Sequence, residues 1–239
     1  MKRLIYITGT SRGIGKAIAQ QLVEEGDFEV VGMARNCTIE HENYRHVEMD
    51  LSNLEAVKEF KFHDASEKEK VVLLNNAGWL GPVKHIGDID ADSIEKAYNV
   101  NIVAPVILLN HFIEAYKKTP AEKLVINVTS GAAQNPYDGW GCYSPTKAGL
   151  DMLTKVVDLE QKLVESNKVK VLAVAPGVVE TFMQETIRSA DEESFSKKEK
   201  FLELKENDWL ATTEQAAKKY VEIIRNPGSV ESVISRVSY

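Results

Sequence analysis

The chain is poor in cysteine, and it lacks both a long apolar run and an excess of basic residues. Cys37 and Cys142 are the only cysteines among 239 residues, which indicates neither a disulfide framework nor a zinc site. A formal net charge of −7 without a basic stripe argues against nucleic acid as a partner. The longest apolar run, 102–109, contains a proline and is too short to span a bilayer. With no signal-peptide pattern at the N-terminus, we expect a reduced, cytoplasmic protein that neither spans a membrane nor binds a metal.

Short β-branched runs alternate along the chain with amphipathic helical patterns. Most of these runs are uniformly apolar, as is typical of strands buried on both faces of a sheet. They lie at 4–7, 29–33, 46–48, 71–74, 124–128, 169–174 and 230–234. The alternation predicts an α/β fold, with a doubly wound parallel sheet of seven strands and helices on both faces, in a single domain over residues 1–239.

Two later segments carry more specific signals. Thr212 and Gln215 form a capping-box pattern, which predicts a helix that ends before Pro227 and Gly228. The segment at about 180–210 follows a predicted strand and is rich in charge. It is either a solvated pair of helices or a lid over a pocket, and the sequence does not decide between them.

A glycine-rich turn joins the first predicted strand to the first predicted helix. Its sequence from Thr8 to Gly15 has the spacing G-x-x-x-G-x-G. Glycines let the backbone approach a pyrophosphate, and the free amides at a helix N-terminus bind it. The position between a strand and an amphipathic helix therefore predicts a dinucleotide site.

Tyr143 and Lys147 are four residues apart, and Ser130 precedes the tyrosine by thirteen residues. Four residues make about one helical turn, so the phenol and the ammonium are expected on the same helix face. A nearby positive charge stabilises a phenolate, and a phenol with a lowered pKa can exchange a proton with a carbonyl or alcohol oxygen. The pair alone is weak support, because surface helices carry such pairs by chance.

Together these features resemble the short-chain dehydrogenase/reductase family, over nearly the whole chain. Four further segments match that family in order and spacing. They are Asn75–Gly78, Asn99–Asn101 in a predicted helix, Asn127–Ser130 and Pro176–Thr181. The resemblance implies a Rossmann-type fold and an oxidoreductase that uses a nicotinamide cofactor. Within the family, residues 136–143 are most similar to sepiapterin reductases, and residues 180–184 are similar to both those enzymes and the bacterial benzil reductases.

The resemblance implies a catalytic group of four residues. Tyr143 is expected to donate the proton during reduction, and Lys147 to lower the tyrosine pKa and bind the nicotinamide ribose. Ser130 is expected to bind the substrate carbonyl. Asn101 is expected to anchor a water in the proton relay, or else to act as a helix-bending or capping amide.

NADPH is the expected cofactor, because the second strand ends at Ala34-Arg35 where NAD enzymes usually carry an acid. Arg35 and Arg12 would then bind the 2′-phosphate, unless both are solvated surface arginines. The expected cofactor-binding residues are Gly9, Ser11, Arg12, Gly13, Ile14, Gly15, Arg35, Asp50, Leu51, Asn76, Ala77, Gly78, Tyr143, Lys147, Pro176, Gly177, Val179 and Thr181. Asp50 is alternatively a turn or helix-capping residue.

For the substrate, Ser130, Tyr137, Trp140 and Met183 are the expected contacts, although core packing is an alternative for Met183. This set favours a flat ketone or 1,2-diketone. Sepiapterin reductases place an aspartate in the C-terminal tail to hold the pterin, but residues 229–239 offer only Glu231. A true sepiapterin reductase and a non-catalytic NADP(H)-binding sensor or scaffold are the alternatives. The resemblance also implies a homodimer or homotetramer.

Overall fold

The computed structural model describes residues 2–239 and contains a sheet of seven parallel strands. The strands are β1 Arg3–Thr8, β2 Glu29–Ala34, β3 Tyr44–Glu48, β4 Lys70–Asn75, β5 Glu122–Val128, β6 Val169–Ala175 and β7 Ile234–Arg236. Their order across the sheet is β3-β2-β1-β4-β5-β6-β7. The predicted doubly wound parallel sheet is therefore confirmed.

Helices cover both faces of this sheet. They are α1 Gly13–Glu25, α2 Leu54–Glu59, α3 Ala91–Tyr98, α4 Ala104–Tyr116, α5 Tyr143–Leu163, α6 Phe182–Arg188, α7 Lys198–Glu206 and α8 Thr213–Arg225. Successive residues of β1 show the division between the faces. Ile5 and Ile7 pack with α1 and α8, whereas Leu4 and Tyr6 pack with α2, α4 and α5. Alternate side chains of one buried strand thus enter two separate apolar layers. Within residues 2–239, no helix is long and apolar enough to cross a membrane.

The last strand begins later than the sequence predicts. The pattern places it at 230–234, but β7 spans Ile234–Arg236 and shares only Ile234 with that range. A short 3-10 turn at Pro227–Ser229 follows α8, and the chain reaches the sheet only at Ile234, which pairs with Ala173 of β6. At the start of α8, by contrast, the predicted capping box between Thr212 and Gln215 is present.

A π-helical turn at Asn99–Val103 joins α3 to α4, where the sequence predicts ordinary helix. The cause lies in the sequence just beyond it. Pro105 has no backbone N–H, so the carbonyl of Asn101 lacks its usual donor four residues later. The Ala104 N–H donates to the carbonyl of Asn99, five residues back, rather than to that of Val100, which widens the turn. This local geometry turns the Asn101 side chain inward, where it is fully buried.

The strand order reverses between β1 and β4, which lie side by side although β2 and β3 follow β1 in the chain. In open parallel sheets, a crevice forms outside the carboxyl ends of the strands at such a point. The glycine-rich turn follows β1, and Asn76-Ala77-Gly78 follows β4. The fold therefore brings these two sequence motifs to one edge of the sheet.

Candidate active site

A cavity of about 570 Å³ occupies this edge of the sheet. The loops that follow the first six strands, β1 to β6, all contribute to its wall. Every residue predicted to bind the cofactor lines it except Gly15. Ser130, Trp140 and Met183 line it as well, whereas Asn101 and Tyr137 do not. The structure thus brings most of the predicted site residues around one space.

The glycine-rich turn forms a backbone cradle at one end of the cavity. Gly9 and Gly13 have positive φ angles, 77° and 61°, which favour glycine. A Cβ atom on Gly9 would approach the Ala77 Cα atom to 3.1 Å. One on Gly15 would collide with the Asn76 side chain, so Gly15 permits close packing behind the turn rather than lining the cavity. Since α1 begins at Gly13, its free amides face a cradle open to an anion, and these residues fit a dinucleotide pyrophosphate.

The end of β2 and the loop after β3 form the adenosine side of the cavity. Ala34 is buried, and Arg35 is exposed at the cavity wall. Burial acts to raise the pKa of the Asp50 carboxyl, but hydrogen bonds from Ser52 and the charges of Arg35 and Lys96 outweigh it and hold the pKa below its usual value. Asp50 accepts from both the amide and the hydroxyl of Ser52, at 2.9 and 2.7 Å, so it also orders this turn.

The second predicted arginine has a different contact. The Arg12 guanidinium lies 4.2 Å from the centroid of the Phe182 ring at the start of α6. A stacked guanidinium keeps its charge available at its edges, while its flat face covers the ring. Arg12 therefore joins the glycine-rich turn to the segment that follows β6.

Ser130, Tyr143 and Lys147 meet in the cavity wall where β5 ends and α5 begins. Lys147 is buried and its Nζ donates to the Val128 carbonyl at 2.8 Å. Burial raises the pKa of the Tyr143 phenol to about 12, while a contact with the Ser130 hydroxyl acts in the opposite direction. Burial is thus the largest effect on the phenol, and the Lys147 ammonium lies 5.7 Å from the ring centroid. The expectation that Lys147 lowers the tyrosine pKa stays a prediction. At neutral pH the phenol is protonated and can act as an acid.

Asn101 braces the loop after β4. Its Oδ1 accepts from the Trp79 amide and its Nδ2 donates to the Trp79 carbonyl, both at 2.8 Å. Nδ2 also lies 3.2 Å from the Thr146 hydroxyl on α5. The side chain therefore forms a bridge between the two walls of the cavity, and the expected role of Asn101 in anchoring a water stays a prediction.

Aromatic side chains form the substrate end of the cavity. Trp140 meets the Tyr143 ring edge-on at 5.8 Å and stacks on Phe195 with centroids 5.4 Å apart. Tyr137 lies behind Trp140, 4.6 Å from it, and packs toward Phe201 rather than lining the cavity. Tyr137 is therefore placed to support the predicted contact Trp140, not to touch a ligand.

The segment at 180–208 is more than a solvated pair of helices. Phe195 and Phe201 are buried against Trp140, in a cluster that also contains Leu80 and Ile187. Glu180 accepts from both terminal nitrogens of Arg188, at 2.7 and 3.2 Å. The Asp138 carboxylate accepts from the amide and hydroxyl of Ser196, at 2.6 and 2.9 Å. These contacts hold the segment over the substrate end of the cavity.

Sequence reasoning missed several residues of this wall, chiefly Leu80, Lys96, Phe182 and Gln184. The structure adds that the Gln184 Oε1 is buried without a hydrogen-bond partner. Gln184 follows Met183 directly in a segment already singled out, so its position was the available signal. No group of three or more potential metal ligands occurs within residues 2–239. Cys142, although next to Tyr143, is buried, and burial raises the pKa of its thiol.

Comparison with known proteins assigns this architecture. The profile of the family described as short chain dehydrogenase matches residues 3–192, a range that contains Ser130, Tyr143 and Lys147. A benzil reductase ((S)-benzoin forming) of Bacillus subtilis is 38% identical over 87% of this chain and 87% of its own. A sepiapterin reductase of Xenopus laevis is 29% identical over 76% of this chain and 75% of its own. The crystal structure of a short-chain dehydrogenase/reductase from Saccharomyces cerevisiae superposes with a TM-score of 0.80 at 28% identity, covering 98% of this chain and 95% of that one.

Proposed function

The chain belongs to the short-chain dehydrogenase family, and on that premise we propose that it is an NADPH-dependent carbonyl reductase acting on ketones and 1,2-diketones. The observation that carries the proposal is the meeting of Ser130, Tyr143 and Lys147 at an aromatic end of the cavity. The similarity to a benzil reductase supports a diketone substrate. The cavity extends from the glycine cradle at the sheet edge to the aromatic end, so it offers a place for a dinucleotide beside a flat carbonyl compound.

The bound nicotinamide would supply the hydride, and the protein supplies position and charge. Gly9, Gly13 and the amides of α1 would hold the pyrophosphate, and Arg35 the 2′-phosphate. Pro176, Gly177, Val179 and Thr181 line the cavity near the catalytic group and would surround the ring.

In the proposed reaction, the Ser130 hydroxyl binds the substrate carbonyl oxygen and the Tyr143 phenol gives it a proton. Burial raises the pKa of the phenol to about 12, so it holds its proton at neutral pH and gives it up only where the phenolate is stabilised. The Lys147 ammonium then stabilises the phenolate. Asn101 holds the loop that carries Trp79 against α5, and its carbonyl, free of an i+4 donor, is available to a water of the proton relay.

Gln184 supports a vicinal diketone rather than a simple ketone. It lines the cavity on α6 beside Met183, and its side chain makes no hydrogen bond to another group of residues 2–239. The buried Oε1 atom is an acceptor without a donor, and no group of residues 2–239 accepts a hydrogen bond from Nε2. We propose that the Gln184 Nε2 donates to the second carbonyl oxygen of the substrate, while Trp140 packs against the substrate ring.

A pterin is the second candidate substrate, favoured by the similarity to a sepiapterin reductase. The carboxylate of the tail, Glu231, is exposed and does not line the cavity. Glu180 does line it, but Arg188 already forms a two-point ion pair with that carboxylate. The charge that would hold a pterin is therefore neutralised within the protein, and a diketone fits better.

The segment at 180–208 is proposed to act as the lid of this site.

A second copy of the chain is proposed to cover helix α5. Met152, Val156, Leu159 and Leu163 form an exposed apolar stripe along α5, with exposures of 45–80%. An amphipathic helix normally buries such a stripe, and a two-fold pairing would bury it against itself. The molar mass from light scattering of the wild type and of Leu159→Arg tests this pairing. We expect a dimer for the wild type and a monomer for the variant. A monomeric wild type would contradict the pairing.

The proposed function is tested by the initial rate of NADPH oxidation with benzil in wild type, Tyr143→Phe and Tyr98→Phe. We expect Tyr143→Phe to lose turnover by about a thousandfold, because the proton donor is gone, while NADPH still binds. Tyr98 lies exposed on α3 outside the cavity wall, and its substitution should leave the rate unchanged. Wild-type turnover in Tyr143→Phe would refute the proton-donor role. Turnover of sepiapterin but not benzil would favour the pterin candidate.

A further inference from the structure

Asp151 is a buried carboxyl one helical turn after Lys147 on α5. Its relative exposure is 7%, and that of Lys147 is 3%. Residues four apart lie on the same face of a helix, so both side chains project between α5 and the sheet. Aspartate is rarely buried to this extent unless a charge or several donors compensate it. The mechanism proposed above makes no use of this residue.

The carboxyl has few partners other than lysine. Asp151 Oδ1 has no hydrogen-bond partner, and neither has the Thr129 hydroxyl at the end of β5. The Thr129 hydroxyl nevertheless faces the carboxyl closely enough to lower its pKa, although the two form no hydrogen bond. The charges that act on Asp151 are Lys155 and Lys147, both on α5, and no charged group of another element within residues 2–239 contributes. Burial raises the pKa of the Asp151 carboxyl, and both lysine charges act against that rise. Lys155 is exposed, so Lys147 is the buried one of the two, although its Nζ and the Asp151 carboxylate form no ion pair within 4 Å.

Lys147 needs such a partner. Burial lowers the pKa of its ammonium to about 8, and the charge of Asp151 acts in the opposite direction. The one hydrogen bond that Nζ makes, to the Val128 carbonyl, does not compensate for the loss of solvent. An amine that has lost its proton could not stabilise the phenolate of Tyr143, so the charge state of Lys147 limits the reaction as the pH rises.

We propose that Asp151 is a positioning residue that acts through Lys147: its carboxylate keeps the buried lysine in the ammonium form while Tyr143 gives up its proton. The catalytic part of this inference rests on the proposed function. The electrostatic part concerns the charge state of Lys147 alone, and it can be measured without turnover.

The first test is an NMR titration of protein labelled with ¹³C at the lysine ε position, with Lys147→Arg to assign the resonance. We expect the Lys147 pKa to fall by about one unit in Asp151→Asn. Asp158→Asn is the matched control, because Asp158 lies two turns further along α5 and pairs with Lys162 at 2.6 Å near the surface. An unchanged Lys147 titration in Asp151→Asn overturns the proposal. If that variant does not fold, Asp151→Ser provides the same comparison.

The second test is the pH profile of kcat/KM for benzil reduction. The alkaline limb should move about one unit lower in Asp151→Asn, with about a tenfold loss at pH 9 and less than a twofold change at pH 6.5. Asp151→Glu, which keeps the charge, should restore most of the wild-type profile. A uniform loss at every pH indicates a merely structural role and overturns the inference. Absence of benzil turnover in the wild type would instead refute the proposed function, and the NMR comparison would still decide the role of Asp151.

Discussion

The two ends of the cavity are built in different ways. The cofactor end is formed by backbone: Gly9 and Gly13 at positive φ, and the first amides of α1. The substrate end is formed by side chains, with Trp140 stacked on Phe195 and packed beside Phe201. A backbone cradle depends on a few glycines close together in sequence, whereas the aromatic wall joins residues more than fifty positions apart. The phosphate cradle is thus formed within one local turn, whereas the aromatic wall depends on the packing of the segment at 180–208.

The largest expected effect at the cofactor end comes from Gly9→Ala. Its Cβ atom would approach the Ala77 Cα to 3.1 Å while φ stays at 77°. We expect NADPH affinity to fall about a hundredfold, because the turn must move away from the pyrophosphate. Gly26→Ala is the matched control: Gly26 has φ 71°, but nothing lies within 4 Å of its Cβ position. Both variants should lose about 1–2 kcal/mol of stability, and only Gly9→Ala should lose affinity in calorimetry. Equal affinities would show that the cradle does not hold the phosphates.

The second prediction changes a charge at the cofactor end of the cavity, in the variant Arg35→Asp. We expect the ratio of NADPH to NADH efficiency to fall about thirtyfold, because charge-assisted hydrogen bonds to a 2′-phosphate are lost and a like charge replaces them. Arg45→Asp makes the same charge change at an exposed position of β3 outside the cavity wall, and should leave the ratio unaltered. An unchanged ratio in Arg35→Asp would contradict NADPH selection by this residue. Arg12, whose guanidinium edges stay available beside Phe182, would then remain as the predicted contact of the 2′-phosphate.

At the substrate end, Phe195→Ala separates the aromatic wall from the general core. Phe195 is fully buried against Trp140, so its loss should loosen the wall and lower kcat/KM for benzil about tenfold. Phe112→Ala removes an equally buried ring from the layer between α4 and the sheet. That variant should lose about 3–5 kcal/mol of stability in a denaturant titration and keep its kinetic constants. If Phe195→Ala changes stability alone, the segment at 180–208 has no part in shaping the site.

The cofactor end of the cavity could be predicted from the sequence more fully than the substrate end. The parallel sheet and the position of the glycine-rich turn follow from local patterns and from the rule that parallel strands end at one edge, whereas the grouping of Ser130, Tyr143 and Lys147 was implied by the family resemblance. Tyr137 was predicted at the cavity, but it lies behind Trp140, because the ring stacking that places it involves Phe201 far along the chain. Asp151 was missed because a single polar residue on an amphipathic helix gives no signal until its burial is known, whereas Gln184 had one signal, its place directly after Met183.

The smallest expected effect concerns Gln184. It tests whether the substrate end of the cavity, which is formed by side chains, also binds a polar group of the substrate. Gln184→Leu keeps the approximate size and apolar packing of the residue but removes the carboxamide. A hydrogen bond to a neutral oxygen contributes about 1 kcal/mol, so kcat/KM for benzil should fall about fivefold. Acetophenone, which has no second oxygen, should be reduced at an unchanged or slightly higher rate. Because the variant and the wild type share every other contact, the ratio of the two substrates measures the role of the amide. A ratio equal to that of the wild type would assign Gln184 to packing alone and leave diketone recognition to shape.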